Sequence, residues 1–219
     1  SQALARSAAC DKVFLDLEPT QTPALLQEPS LLNAPLKGLA FSVKDLFDVA
    51  GSPTLAGSTV LQGAAVAQAS CPAVARLNQA GGAFLGRTNM VEFAFSGVGN
   101  NPHHGTPAAW DATTDQAVVS NGQGHVPGGS SSGAAVSVAT GAAFIGLGHS
   151  PLKAGANIGC HGPNQGRAVS KVVIETALGD LSRQNNLING HGIDGTLGKE
   201  LAARIQQGLT GQGGAPGWF

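Results

Sequence analysis

The run V-P-G-G-S-S-S-G-A-A, Val126 to Ala135, constrains this chain more than any other stretch of it. Pro127, Gly128 and Gly129 form a turn, because glycine permits positive φ and close backbone approach. The serines that follow lead into a segment of small residues. The pattern predicts a loop feeding a helix that starts near Gly133, with a hydroxyl of Ser130, Ser131 or Ser132 capping the orphan N–H groups of the first turn. Such a helix start favours anions and developing negative charge. A Gly/Ser turn before a helix is more often a flexible connection or an ordinary cap than an active site, so function must be read from the rest of the chain.

Behind the turn, Gly133 to Gly148 carries no charge. It is too short and too rich in small residues to span a membrane, and reads as a buried helix followed by a strand. With 219 residues and 42% hydrophobic content, the chain can bury a substantial core as one large domain or two small ones. A formal net charge of −1 and the lack of any basic run argue against nucleic acid and membrane surfaces as partners. Cys10, Cys71 and Cys160 are too widely spaced for a disulfide framework or a zinc ribbon, so a reducing, cytoplasmic setting is expected. No signal-peptide pattern opens the chain.

Taken in order, Ala3 to Leu17 has helical spacing, and Pro19 to Pro35 is a connection with a short helix around Ala24 to Leu26. Leu39 to Val43 reads as a strand delivering Lys44. That lysine either leaves the sheet for solvent, pairs with Asp45 or Asp48, or is a desolvated amine able to act as a general base. Ser70 is placed to cap a helix containing Pro72, with Val74, Leu77 and Ala80 on one face and Gly81-Gly82 ending it. Ala83 to Leu85 makes a strand, Val91 to Phe95 a short helix or turn, and Asn100 to Pro107 a loop. His103-His104 lacks an Asp, Glu or Cys at metal-ligand spacing, so no metal site is expected.

Four ordered motifs then give a resemblance. V-K-D-L-F-D-V-A-G-x-P-T-x-A-G-S (Val43 to Ser58), A-G-G-A-F-L-G-R-T-N-M-V-E-F-A-F-S-G (Ala80 to Gly97), N-P-H-H-G-T-P (Asn101 to Pro107) and P-G-G-S-S-S-G-A-A-V (Pro127 to Val136) are similar to successive motifs of the amidase signature family. The resemblance covers about residues 38–148. It implies an α/β fold, a mixed β-sheet covered by helices, and cleavage of a carboxamide C–N bond through a Ser-cisSer-Lys triad without metal or organic cofactor. By resemblance Lys44 is the triad lysine and Ser130 the bridging serine with a cis peptide, while Gly128, Gly129 and Ser131 serve the oxyanion and substrate. In such a triad a serine hydroxyl attacks after passing its proton through the bridging serine to a neutral lysine, and backbone N–H groups stabilise the oxyanion.

The family nucleophile follows about two dozen residues after the bridging serine, in a motif like T-D-T-G-G-S-I-R-x-P. In the frame set by Gly146-Leu147-Gly148 that position is Ala154, preceded by Leu152 and Lys153 in place of glycines. Ser150 is the nearest hydroxyl, and Cys160-His161 lies off the spacing. Residues 1–148 therefore read as the N-terminal portion of an amidase-like core and 149–219 as an unrecognised continuation of the same domain. That continuation includes a strand at Val172 to Ile174, an amphipathic helix over Gly198 to Leu209 and a frayed tail from Gly211, so the fold looks truncated. Two functions stay open: an amidase acting on a small-molecule amide, and an amidase-like protein that binds an amide or a partner subunit without turnover. An incomplete sheet would leave an edge for a second copy, so a homo-oligomer is compatible with both.

Overall fold

A computed structural model describes residues 5–18 and 34–148, together with the backbone of strand 172–175. The expectations at Ala24 to Leu26, Ser150, Ala154, Gly155 to Gly166, Cys160-His161, Gly198 to Leu209 and the tail from Gly211 lie outside the described residues.

The centre is a mixed sheet of β1 (Phe14–Leu17), β2 (Ala40–Lys44), β3 (Ala83–Thr88), β8 (Ile145–Gly148) and β9 (Val172–Glu175) in the order β1-β3-β2-β8-β9. Between β3 and β8 the chain forms two minor ribbons, β4 (Trp110–Asp111) with β5 (Gln116–Ala117) and β6 (Val119–Ser120) with β7 (Gln123–Gly124). In the sheet β2, β3, β8 and β9 run parallel, and β1 is antiparallel to β3. Parallel neighbours need crossovers; helix α1 (Pro72–Gln79) lies between β2 and β3, and helix α2 (Ser132–Ala139) leads into β8.

Period-two alternation in β2 sends its side chains to two different layers. Phe41 and Val43 join Val74 and Leu77 of α1, along with Ile145 and Leu147, in one core. Ser42 turns the other way, towards α2, where Leu85, Val136, Val138 and Val13 form the second core. Helices thus cover both faces, the α/β arrangement expected from the sequence. Val74, Leu77 and Ala80 are buried together as their spacing predicts.

Three local expectations are corrected. Ala3 to Leu17 is not one helix: among its described residues Ala5 is helical, Ala8–Cys10 form a 3-10 turn, and Phe14–Leu17 form strand β1. Pairing with β3 overrides the helical spacing, and Gly86 makes room for it, because a Cβ there would fall on the Asp16 carbonyl oxygen. Ser70 does not cap α1. Its Oγ accepts the Ala50 N–H at 3.0 Å, and the N-cap is Cys71. The N-cap of α2 is Ser131, with no side-chain capping bond.

Helix α2 sits tightly on the sheet. A Cβ on Gly133 would stand 2.5 Å from the Val13 carbonyl oxygen and 2.7 Å from the backbone N and O of Asn89. Backbone atoms cannot swing aside as side chains can. Gly133→Ala is therefore expected to destabilise the protein by about 3 kcal/mol in urea denaturation, and a loss below about 1 kcal/mol would refute that packing.

Candidate active site

Lys44 ends β2 on the same side as Ser42, facing α2. Two hydroxyls set this layer: Ser137 Oγ donates to the Ala134 carbonyl at 2.8 Å, which leaves Ser42 as donor in the 2.8 Å Ser42–Ser137 contact. One turn nearer the N-terminus of α2, the chain enters the helix through the turn at Gly128, Gly129 and Ser130. Gly128 has φ +82°, and the Gly129–Ser130 peptide is cis. Lys44 is fully buried and Ser130 is 1% exposed. Lys44 Nζ donates to Ser130 Oγ at 2.6 Å. Of the readings open to Lys44, departure into solvent is excluded by that burial.

The turn is held from behind by residues 91–99. Val91 N–H donates to the Ser130 carbonyl at 3.0 Å, and Gly129 N–H to the Gly97 carbonyl at 2.8 Å. A Cβ on Gly99 would fall on the Gly128 carbonyl oxygen, so backbone meets backbone here with no side chain between. Gly129 has its N–H engaged by Gly97 and contributes by close approach. Ser131, at the helix N-cap, is 4% exposed beside Ser130.

Around this pair the structure assembles further polar residues whose partners the sequence did not reveal. Arg87 Nε and Nη2 meet Asp45 Oδ1 at 2.8 and 2.7 Å, with both side chains almost fully buried. Asp45 Oδ2 accepts Gly57 N–H at 2.9 Å, while Asp48 Oδ1 accepts from Thr54 Oγ1 at 2.7 Å. Asn101 Nδ2 donates to the carbonyls of Gly57 and Met90, at 2.8 and 2.7 Å. His103, weighed in the sequence only as a metal ligand, contacts Glu92 Oε1 through its Nε2 at 2.7 Å. Ser58 Oγ donates to the same oxygen at 2.6 Å. These bonds, Ser58 first and His103 second, hold the Glu92 carboxyl below its ordinary range. A weak signal was available: charged and amide residues interrupting apolar runs in a chain with only 11% charged residues.

Among the described residues, no group of three His, Cys, Asp or Glu side chains could hold a metal ion, and no helix is long and apolar enough to cross a membrane.

Residues 15–149, more than half of the chain, match the family model described as Amidase. Over 115 residues the chain is 47% identical to a 2-amino-5-chloromuconic acid deaminase of Comamonas testosteroni, covering 52% of this chain and 23% of the relative. It is 41% identical to Amidase 1 of Oryza sativa subsp. japonica over 125 residues, covering 57% of this chain and 26% of the relative. A solved structure from a vestigial protein complex bearing on the origins of an s-triazine catabolic enzyme superposes with a TM-score of 0.54 at 28% identity, over 64% of this chain and 30% of that one. The chain thus spans about a quarter of the length of the curated relatives it matches.

Proposed function

The chain belongs to the amidase family, and on that premise we propose that it cleaves the C–N bond of a small carboxamide, with Lys44 as general base and Ser130 as proton relay. The observation that carries this reading is the buried 2.6 Å contact between Lys44 Nζ and Ser130 Oγ. With the roles reversed, the Ser130 hydroxyl giving its proton to a neutral amine, the same contact is the relay step. The attacking hydroxyl loses its proton to Ser130 Oγ as its oxygen bonds to the amide carbon. Ser130 passes its own proton to Lys44, and that proton later leaves with the amine as the C–N bond breaks. Gly128, Gly129 and Ser131 shape the neighbouring turn where the oxyanion and substrate would lie. The route requires neither metal nor organic cofactor. A cytoplasmic setting and a homo-oligomer belong to the same proposal.

A second reading is favoured by one observation. Counted from Ser130 in the frame of Gly146-Leu147-Gly148, the resemblance puts the family nucleophile at position 154, where the sequence has Ala154 and the nearest hydroxyl is Ser150. Without a nucleophile the fold would bind an amide or a partner subunit and turn nothing over. Labelling with a serine-directed fluorophosphonate, followed by peptide mass mapping, separates the two. Stoichiometric adduct on a serine is the expected result for the hydrolase, whereas no adduct at saturating reagent would leave only the binding reading.

A further inference from the structure

Lys44 and Ser130 come from distant parts of the chain, so their contact depends on whatever holds strand end and serine turn at a fixed separation. We propose that Glu92 is a positioning residue that fixes the Ser130 turn against Lys44 by way of Ser58 and Val91; this deepens the hydrolase reading and rests on it. On the serine side, Val91 directly precedes Glu92 and holds the Ser130 carbonyl through its N–H at 3.0 Å. A Cβ on Gly129 would stand 2.9 Å from both Gly99 Cα and Val91 Cγ2, so the 91–99 segment is the bed on which the turn lies. On the lysine side, Asp45 directly follows Lys44 and accepts the Gly57 N–H at 2.9 Å. Ser58, the next residue, gives its hydroxyl to Glu92 at 2.6 Å. One continuous path therefore joins Lys44 to Ser130 through Asp45, Gly57, Ser58, Glu92 and Val91.

The Glu92 oxygen Oε1 carries the load of this path from two sides. An ionised carboxylate only accepts, so His103 presents its Nε2 proton to Glu92; in the neutral ring Nδ1 then accepts from Thr59 Oγ1 at 3.2 Å. Glu92 thus ties the 57–59 loop to the 101–106 loop as well as to its own segment. Asn101 backs this up by bonding the carbonyls of Gly57 and Met90 at 2.8 and 2.7 Å. Ser58 is fully buried, while the Glu92 and His103 side chains are 29% and 27% exposed, so the inner half of the clamp is dry and the outer half wet. The role assigned to Glu92 is geometric: it acts on the reaction through Ser58 and Val91.

Native-state hydrogen exchange on the full chain, read at the Val91 and Gly129 amides, tests this alongside a hydrolysis assay. Glu92→Ala is expected to speed exchange at those amides about tenfold while the amides of β2 and β8 keep their protection. It is also expected to lower kcat with little change in KM. Glu92→Gln keeps an Oε1 acceptor and is expected to restore most of both. Should Glu92→Ala fail to fold, Ser58→Ala removes one donor and gives the same comparison. Exchange at Val91 and Gly129 that stays at the parent rate, or that rises equally throughout β2 and β8, would overturn the proposal. A parent protein without hydrolytic activity would remove the hydrolase reading yet leave the exchange comparison readable, so the two ideas fail separately.

Discussion

Lys44→Ala is expected to lower amide hydrolysis on the order of 10,000-fold or more, with the fold retained. General-base catalysis alone accounts for roughly 100- to 10,000-fold, and groups that act as a unit lose more than one member's share when any of them is removed. Ser130 can relay a proton only if an acceptor waits behind it, and Lys44 Nζ lies 2.6 Å away. The fold should survive because β2 is held by backbone pairing to β3 and β8, which the substitution leaves untouched. Lys44→Met, which keeps most of the side-chain volume, separates packing from chemistry: its hydrolysis should be as low as that of Lys44→Ala while its melting temperature stays closer to the parent. Values of kcat/KM against a panel of small carboxamides, with thermal melts of each variant, provide the measurement. Hydrolysis within about tenfold of the parent in either variant would remove Lys44 from the role of base.

The parts of this molecule that were legible in the sequence are those where local chemistry and tertiary context agree. The uncharged stretch after Ser132 read as a buried helix and strand, and it forms α2 and β8 because small residues let a helix lie close on a sheet. Gly133 and Gly146 mark the contact, each with backbone atoms within 2.8 Å of where a Cβ would be. The strand leading to Lys44 was legible for a related reason: an apolar run broken by a single serine fits a strand buried on both faces. Residues 14–17 were misread because helical spacing is a local signal, whereas β1 exists through its pairing with β3. An edge strand of this kind is specified by its partner.

The candidate site divides along the same line. Lys44 and Ser130, which the structure brings into contact, were legible as a pair because two of the four motifs contain them. Arg87, Glu92 and Asn101 were passed over, and the partners of Asp45 and His103 were missed, because those partners are remote in sequence. Glu92 meets Ser58 from an earlier loop and His103 from a later one, and no spacing rule connects the three. A polar residue inside an apolar motif signals that a partner exists, without saying which. Only the sheet order, with β2 and β3 as parallel neighbours, brings Asp45 and Arg87 together.

That ion pair sets the second large expectation: Asp45→Ala should destabilise the protein by about 3–5 kcal/mol, roughly a 10 °C fall in melting temperature for a chain of this size. The two side chains are 2% and 5% exposed, so removing the carboxylate strands a guanidinium in the interior. Arg87 Nη2 would keep the Phe47 carbonyl at 3.2 Å, and Nη1 has no partner among the described residues. The damage comes from the unpaired charge more than from a missing attraction, and this makes a contrast possible. Replacing both partners with apolar residues, Asp45→Leu with Arg87→Met, should recover most of the lost stability, since a well-packed apolar pair of similar volume often matches a buried ion pair. Activity should not recover with it. Asp45 also receives the Gly57 N–H at 2.9 Å, and leucine offers no acceptor to the loop that carries Ser58 towards Glu92. Denaturation and hydrolysis measured on the single and double variants together test both halves. A single variant less than about 1 kcal/mol below the parent would show that the interior accommodates the free guanidinium, and a double variant with parental activity would show that the Asp45–Gly57 bond does not position Lys44.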